Sequence, residues 1–245
     1  MCSTSMPESV RNDETLDILC NEKVRVIQKK RGYRLSMDPL LLGNFITLKQ
    51  KETLLDVGTG CGIIPIYLAA KGHANRLVGI EIQDELHELS LRNKELNRCS
   101  HVEFIKGDIR SRRKDLGCFH VMVSNPPYVK ERAGRRNPAP SRLVARSETT
   151  LDLPALMSIA ASMLFTHGRL YVIYPAKRLA ELVYESKSRH LEPKRLRLIH
   201  SRRGEPAVLA LVECVKDGGS HMLVEPPLYI FSGDDYTQEV KGYYE

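Results

Sequence analysis

Four residues suited to holding a nucleoside or its amino group lie between positions 56 and 125 of the 245-residue chain: Asp56, Glu81, Asp108 and Asn125. Each lies at or near the end of a short apolar run of strand type. Asn125 opens Asn125-Pro126-Pro127-Tyr128. Its side-chain oxygen and the Pro126 carbonyl are two hydrogen-bond acceptors, and the prolines hold that carbonyl without spending an N–H on the site. An amino group on a heteroaromatic ring is a poor nucleophile because its lone pair is delocalised into the ring. Two acceptors on its protons would favour a pyramidal nitrogen with a directed lone pair. Tyr128 offers a face on which a base could stack.

The stretch LLDVGTGCGIIPIYLA, residues 54–69, places Asp56, Gly58, Gly60 and Gly62 between a strand and a helix. Glycines there let the backbone turn sharply and let a ligand approach it closely. The spacing is G-x-G-x-G rather than the G-x-G-x-x-G that cradles a pyrophosphate. An acid just ahead of the turn would repel phosphates but attract an ammonium. That pattern fits S-adenosylmethionine better than a nicotinamide dinucleotide. Glu81, at the end of the next strand, is placed to hold two ribose hydroxyls. Asp108 ends the strand after that, where it could accept from an adenine amino group with Ile109 against the base. Each acid alone would be an ordinary strand end or helix cap. Three at successive strand ends make a nucleoside site.

These residues need a scaffold that brings strand ends together, and the order of elements supplies one. Residues 1–22 read as a flexible tail, and residues 23–245 as a single domain whose first part, 23–50, is an extension ahead of the sheet. KVRVIQ (23–28) alternates as a strand. Asp38-Pro39 opens a short apolar helix, with Asp38 as its cap. From residue 53 onward short β-rich runs alternate with helices: TLLDVG, then GIIPIYLAAKG; RLVGIE, then DELHELSLRNKELNR; VEFIKGD; FHVMVSN; LPALMSIAASMLF; GRLYVIYP; AKRLAELVYESKSRH. Such alternation predicts a doubly wound α/β fold, a mostly parallel sheet covered on both faces. The final runs RLRLIHS, AVLALVEC and MLVEPPLYIF, joined by short loops, predict an antiparallel edge.

Composition sets limits on the function. Hydrophobic residues make up 42% and charged residues 27%, ordinary values for a folded domain. A formal net charge of +7 suits a polyanionic partner without naming it. Six cysteines and eight histidines are scattered with no ligand spacing, so neither a metal site nor a disulfide framework is expected. The first residues lack the pattern of a secretion signal, and no run is long and apolar enough to cross a membrane, so a cytoplasmic protein is expected.

On these motifs the chain resembles the class I S-adenosylmethionine-dependent methyltransferases that carry [DNS]-P-P-[YFW] and methylate amino groups. More narrowly it resembles the bacterial tRNA1(Val) adenine-N6 methyltransferases, through QKKRGYRLSMDPLLL (28–42), LLDVGTGCGIIPIYLA, GIEIQ, SNPPYVK and RRGEPAVLALVEC. The resemblance covers most of residues 24–240. It implies a Rossmann-like, seven-stranded, mostly parallel sheet with an antiparallel C-terminal edge strand, S-adenosylmethionine as cofactor and tRNA as partner. It also implies that Tyr33 to Asp38, including Met37 and Asp38, closes over the methionine end of the cofactor, and that Asn125 borders the same pocket. Two positions depart from the family pattern: Leu35 stands for a phenylalanine and Ser147 for a histidine. Both bear on the substrate rather than on transfer.

The same signature also serves methylators of glutamine side-chain amides, and a non-catalytic nucleotide-binding module would share the glycine turn. Two basic runs favour RNA. KERAGRRNPAPSRLVAR (130–146) follows the Asn-Pro-Pro-Tyr turn directly, with Arg135, Arg136, Arg142 and Arg146 as candidate phosphate contacts; KSRHLEPKRLRLIHSRR (187–203) is the second. Moreover, the region before residue 23 is too short for the separate helical domain usual in glutamine methylators.

Overall fold

Alternate residues of the central strands are buried on opposite sides. Val121, Val123, Tyr171 and Ile173 join one core cluster, and Met122, Leu170 and Val172 join the other. A strand buried on both faces cannot alternate with polar residues, which is why β3 (Leu54–Val57, LLDV) is buried at all four positions. The computed structural model describes residues 10–30, 36–73, 75–126 and 151–244.

After β3 come α2 (Ile63–Ala70), β4 (Leu77–Glu81), α3 (Asp84–Leu96), β5 (Val102–Lys106), α4 (Ile109–Leu116) and β6 (Phe119–Ser124). Then follow α5 (Leu153–Met163), β7 (Leu164–Pro175), a 3-10 turn (Ala176–Arg178), α6 (Leu179–Lys187), β8 (Leu191–His200) and β9 (Ala207–Lys216). Seven long strands line up as β8-β9-β7-β6-β3-β4-β5. All run parallel except β9, which is antiparallel to both β7 and β8.

Two expectations are corrected here. The antiparallel strand is not at the edge: β9 pairs with β8 across the turn after His200 and with β7 on its other side, so it inserts between them. The sheet also has nine strands rather than seven. The run MLVEPPLYIF, read as one strand, is interrupted by Pro226-Pro227, which cannot donate to a ladder. It yields β10 (Leu223–Val224) and β11 (Leu228–Tyr229), both parallel to β8, and then β12 (Phe231–Ser232). β12 pairs with β13 (Asp235–Tyr236) ahead of α7 (Gln238–Gly242).

The N-terminal segment is a further correction. Within residues 1–22, read as a tail, β1 (Glu14–Leu19) forms an antiparallel hairpin with β2 (Val24–Lys29). The hairpin is held by side chains of α3, a partner distant in sequence. The buried Glu14 carboxylate receives both Arg92 guanidinium nitrogens at 2.7–2.8 Å. Asn93 exchanges hydrogen bonds with the Ile27 N–H and carbonyl, and Asn97 does the same with Arg25. Two asparagines one helical turn apart thus supply β2 with the partners a neighbouring strand would give. The helix α1 (Asp38–Phe45) begins at Asp38, but its cap position is Met37 and makes no side-chain cap bond, so Asp38 is not the cap that was expected. The short α4 was not foreseen: IRSRRKDL buries only Ile109 and has no apolar stripe to announce a helix. No helix among the described residues is long and apolar enough to cross a membrane.

Candidate functional site: four strand ends

Parallel strands put their carboxyl ends on one edge, and β6, β3, β4 and β5 are consecutive neighbours in the sheet. Asp56 pairs with Gly79 on one side and Val123 on the other, and Glu81 pairs with Lys106. Asn125, the Asp56–Gly62 turn, Glu81 and Asp108 therefore stand side by side along this edge. Ser124 secures the first junction by donating to the Val57 carbonyl at 2.9 Å.

Asp56 is buried and uses one oxygen, Oδ2, to accept from the Thr59 hydroxyl at 2.6 Å. Its Oδ1 is buried with no partner. Burial raises its pKa to about 7; the Thr59 hydrogen bond works against the shift and the nearby Glu81 charge adds to it. An orphaned carboxylate oxygen of this kind costs free energy and is ready for a cationic donor. Glu81, also buried, accepts from the Gly60 amide at 2.9 Å and from the Gln83 amide at 2.9 Å. It holds the glycine turn; Oε1 also accepts from the Gln83 side-chain amide at 3.4 Å, and Oε2 retains a lone pair for a hydroxyl.

The three turn glycines differ in role. All have positive φ, +74° at Gly58, +58° at Gly60 and +85° at Gly62. A Cβ at Gly58 would meet nothing within 4 Å, so this glycine borders open space. A Cβ at Gly62 would fall 2.4 Å from Phe104 Cζ, so the ring of β5 packed against it already requires glycine at this position. Gly79 is packed the same way, with Phe104 and the Thr59 hydroxyl each 2.7 Å from a built Cβ. That requirement came from a residue 25 positions away and had no sequence signal. Cys61, inside the turn, has its thiol pushed up to about 12 by burial and is no nucleophile at neutral pH. Its carbonyl accepts from Asn93 at 3.0 Å, so one buried amide joins the glycine turn to β2. Asn93 is a site-supporting residue that no motif announces, because an asparagine inside a helical pattern carries no distinctive spacing.

Asp108 caps α4, accepting from the Arg110 amide at 2.9 Å and pairing with its guanidinium at 2.6 Å. The hydrogen bond from the Arg110 side chain, more than any other contact, holds its carboxyl below the usual range. An adenine amino group would share this carboxylate with Arg110. Ile109 is buried in the core, which leaves its side chain little surface for a base. Met37 packs against the core shared by α1 and α2. Asn125 is half-buried and Pro126 buried at the end of β6. Pro127, Tyr128, Arg135, Arg136, Arg142 and Arg146 lie outside the described residues.

The second basic run is largely committed internally. Lys187, Arg189, Arg195 and Arg197 form ion pairs with Glu192, Glu185, Glu213 and Glu239, and Arg195 also pairs with Glu225. Lys194 donates to the Gly219 and Ser220 carbonyls. Among the described residues no cluster of His, Cys, Asp or Glu could hold a metal ion.

Chemically, this edge offers an unsatisfied anionic acceptor, a second carboxylate, a glycine facing open space and two neutral acceptors on Asn125-Pro126. It has no described metal cluster or activated thiol. The arrangement suits alignment of a cationic nucleoside with an amino group.

Comparison with known proteins agrees with that chemistry. Residues 38–186 match the model of the methyltransferase small domain. A protein of Porphyromonas gingivalis (strain W83) named tRNA1(Val) (adenine(37)-N6)-methyltransferase is 32% identical over 203 residues, 74% of this chain and 79% of the relative. One of the same name from Christiangramia forsetii is 25% identical, over 87% of this chain and 90% of the relative. Among solved structures, an Agrobacterium tumefaciens protein described as a predicted O-methyltransferase superposes with a TM-score of 0.68 at 21% identity, covering 84% of this chain and 94% of its own. That likeness concerns the fold.

Proposed function

The chain belongs to the methyltransferase small domain family, and on that premise we propose that it methylates the N6 amino group of adenine in tRNA, using S-adenosylmethionine as cofactor. The names of its relatives point to the adenine beside the anticodon of a valine tRNA, and such an enzyme would work in the cytoplasm. The observation that carries the reading is the adjacency of Asn125-Pro126 to the Asp56–Gly62 turn on neighbouring parallel strands.

The site fits the cofactor on its own evidence. The orphaned Asp56 Oδ1 is an acceptor for the ammonium of its methionine part, Glu81 for its ribose, and Gly58 leaves room for close approach. Met37 and Asp38, at the start of α1, are assigned to the methionine end, and Asp108 to the adenine edge. When bound, the cofactor supplies an electrophilic methyl group on a sulfonium, a good leaving group.

The chain's own residues then have three tasks. Asn125 and the Pro126 carbonyl accept the two amino protons of the target and turn its lone pair outward. Tyr128 stacks on the extruded base, and Pro127 stiffens the turn between them. No strong base is required: alignment accounts for much of the barrier reduction in such an in-line transfer, and the methylated nitrogen, cationic and acidic, then loses its extra proton to water. Arg135, Arg136, Arg142 and Arg146 are assigned to phosphates of the RNA.

The test is incubation with labelled S-adenosylmethionine and bulk tRNA, followed by nucleoside digestion. Label in N6-methyladenosine is the expected result. Label in a protein fraction alone identifies a glutamine methylator, and no label in any acceptor identifies a binding module; either outcome defeats the proposal.

A further inference from the structure

The strand β8 is parallel to β6, so the turn that follows it, Ser201–Pro206, emerges on the edge that carries Asn125. Three steps across the sheet separate β8 from β6, roughly 15 Å at the usual strand spacing. At this turn lie Arg202 and Arg203, both exposed. In the basic run that ends with them, they are the two arginines with no carboxylate partner among the described residues. Arg202 donates to the Gly233 carbonyl and lies 5.4 Å from the centre of the Phe231 ring. Arg203 lies 5.7 Å from the centre of the Tyr229 ring.

The rings continue the pattern. Phe231 stacks on Tyr236 at 5.3 Å with planes 19° apart, and Tyr236 on Tyr244 at 5.9 Å and 17°. His200 tilts against Tyr229 at 5.5 Å. Between the arginines and β11–β13 is a depression of about 390 Å³ that also reaches Thr237. Glu205, Asp234 and Asp235 share these loops, Asp235 being paired with Lys241 at 2.6 Å. Local charge is thus nearly balanced, and a purely electrostatic footing for a polyanion is absent. What the surface does offer is planar: guanidinium groups and aromatic faces set close together. Unpaired bases stack on such faces, while arginine can stack and also meet a phosphate.

We propose that Arg202, Arg203, Tyr229 and Phe231 form a second RNA-contacting surface that holds unstacked nucleotides of the substrate on the same sheet edge as the reacting adenine. This rests on the reading of the chain as a tRNA methyltransferase and adds where the RNA is held. The aromatic partners of Arg202 and Arg203 come from β12 and β11, the latter paired with the end of β8.

The test uses the full chain, an unmodified valine tRNA transcript and a 12-nucleotide single-stranded RNA, with binding followed by fluorescence anisotropy. In Arg202→Ala/Arg203→Ala, the Kd for both RNAs should rise about tenfold or more, as expected for losing base stacking and two phosphate contacts. The slope of log K against log salt should shrink by about 1.4, the value for two lost contacts on a single strand. Affinity for S-adenosylmethionine and kcat at saturating tRNA should stay within about twofold of the parent, since neither arginine touches the four strand ends. Arg203→Glu should weaken RNA binding further. RNA affinity and salt slope unchanged in both variants overturn the surface, whatever the parent methylates. If the parent places no label in tRNA, the functional reading fails separately, and the anisotropy with the 12-nucleotide RNA still decides the surface.

Discussion

Asp56 takes a 2.6 Å hydrogen bond from Thr59 on one carboxylate oxygen and keeps the other buried and unpartnered. Burial places its pKa near 7, against 3.8 for an exposed aspartate. The folded, ligand-free protein therefore holds this proton more tightly than the unfolded chain, and stability falls as pH rises from about 4 through 7. Relative to Asp56→Asn, the parent should lose about 3 kcal/mol of unfolding free energy between pH 5 and pH 8. Denaturant titrations at the two pH values measure this. An ammonium beside Oδ1 would favour the ionised form, so binding of S-adenosylmethionine should release nearly one proton at pH 6, whereas at pH 8 Asp56 releases almost none and the partly neutral cofactor amine takes up a fraction of one. Calorimetry in buffers of different ionisation enthalpy reads that number. An identical proton count at both values would remove Asp56 from the cofactor site.

Asn125→Ala should reduce kcat by about 10³-fold, the order found when one preorganised hydrogen-bonding group is removed from a reacting centre. The dissociation constant for S-adenosylmethionine should change by less than about threefold, because the Asp56 turn and Glu81 remain in place. Single-turnover methylation with equilibrium binding separates the two quantities. A near-parental rate would refute the assigned role.

Two glycines of one turn should respond differently to alanine. Gly62→Ala forces a Cβ against Phe104 at a φ of +85°, and the combined clash and left-handed strain should cost about 2–4 kcal/mol. Gly58→Ala meets no neighbour, so its cost should be about 1 kcal/mol, with its main effect a weakened affinity for the cofactor. Thermal melts and binding measured together distinguish them. Equal destabilisation by both would contradict the packing described.

Glu14 is fully buried, and the bidentate bond from Arg92, more than its other contacts, lowers its carboxyl to about 2 from 4.5. A depressed carboxylate contributes stability that is present above about pH 4.5 and lost as pH falls toward 2. Glu14→Gln should flatten the acid limb of the stability curve by up to about 3 kcal/mol, and protease cleavage within the hairpin at pH 7 should become faster in the variant. An unchanged acid limb would show that the hairpin is not held through this pair.

The shared edge of the four candidate residues was legible because they lie where local chemistry repeats. Asp56, Glu81, Asp108 and Asn125 each end a short apolar run, and a parallel sheet must bring such ends to one edge. The strand-helix alternation followed from the same patterning. What escaped notice depended on contacts between segments far apart in sequence. Glu14 and Ile27 gain their partners from Arg92, Asn93 and the rest of α3, so β1 looked like a tail. The place of β9 depended on which neighbour its hydrogen bonds would find, a choice that two apolar strand runs and a short turn leave open.

The sequence by itself determined the class of fold, the chemistry of the four strand ends and the family. Those depend on residue type and local spacing, which the chain carries wherever it is read. Only the tertiary structure decided that Gly62 packs against Phe104, that Asp56 Oδ1 is left without a partner, and that Asp108 already holds Arg110. It alone separated Arg202 and Arg203 from a basic run whose other arginines, Arg189, Arg195 and Arg197, pair with acids. The reason is physical: burial, clash and charge pairing are properties of what lies nearby in space, and a one-dimensional pattern does not list those neighbours.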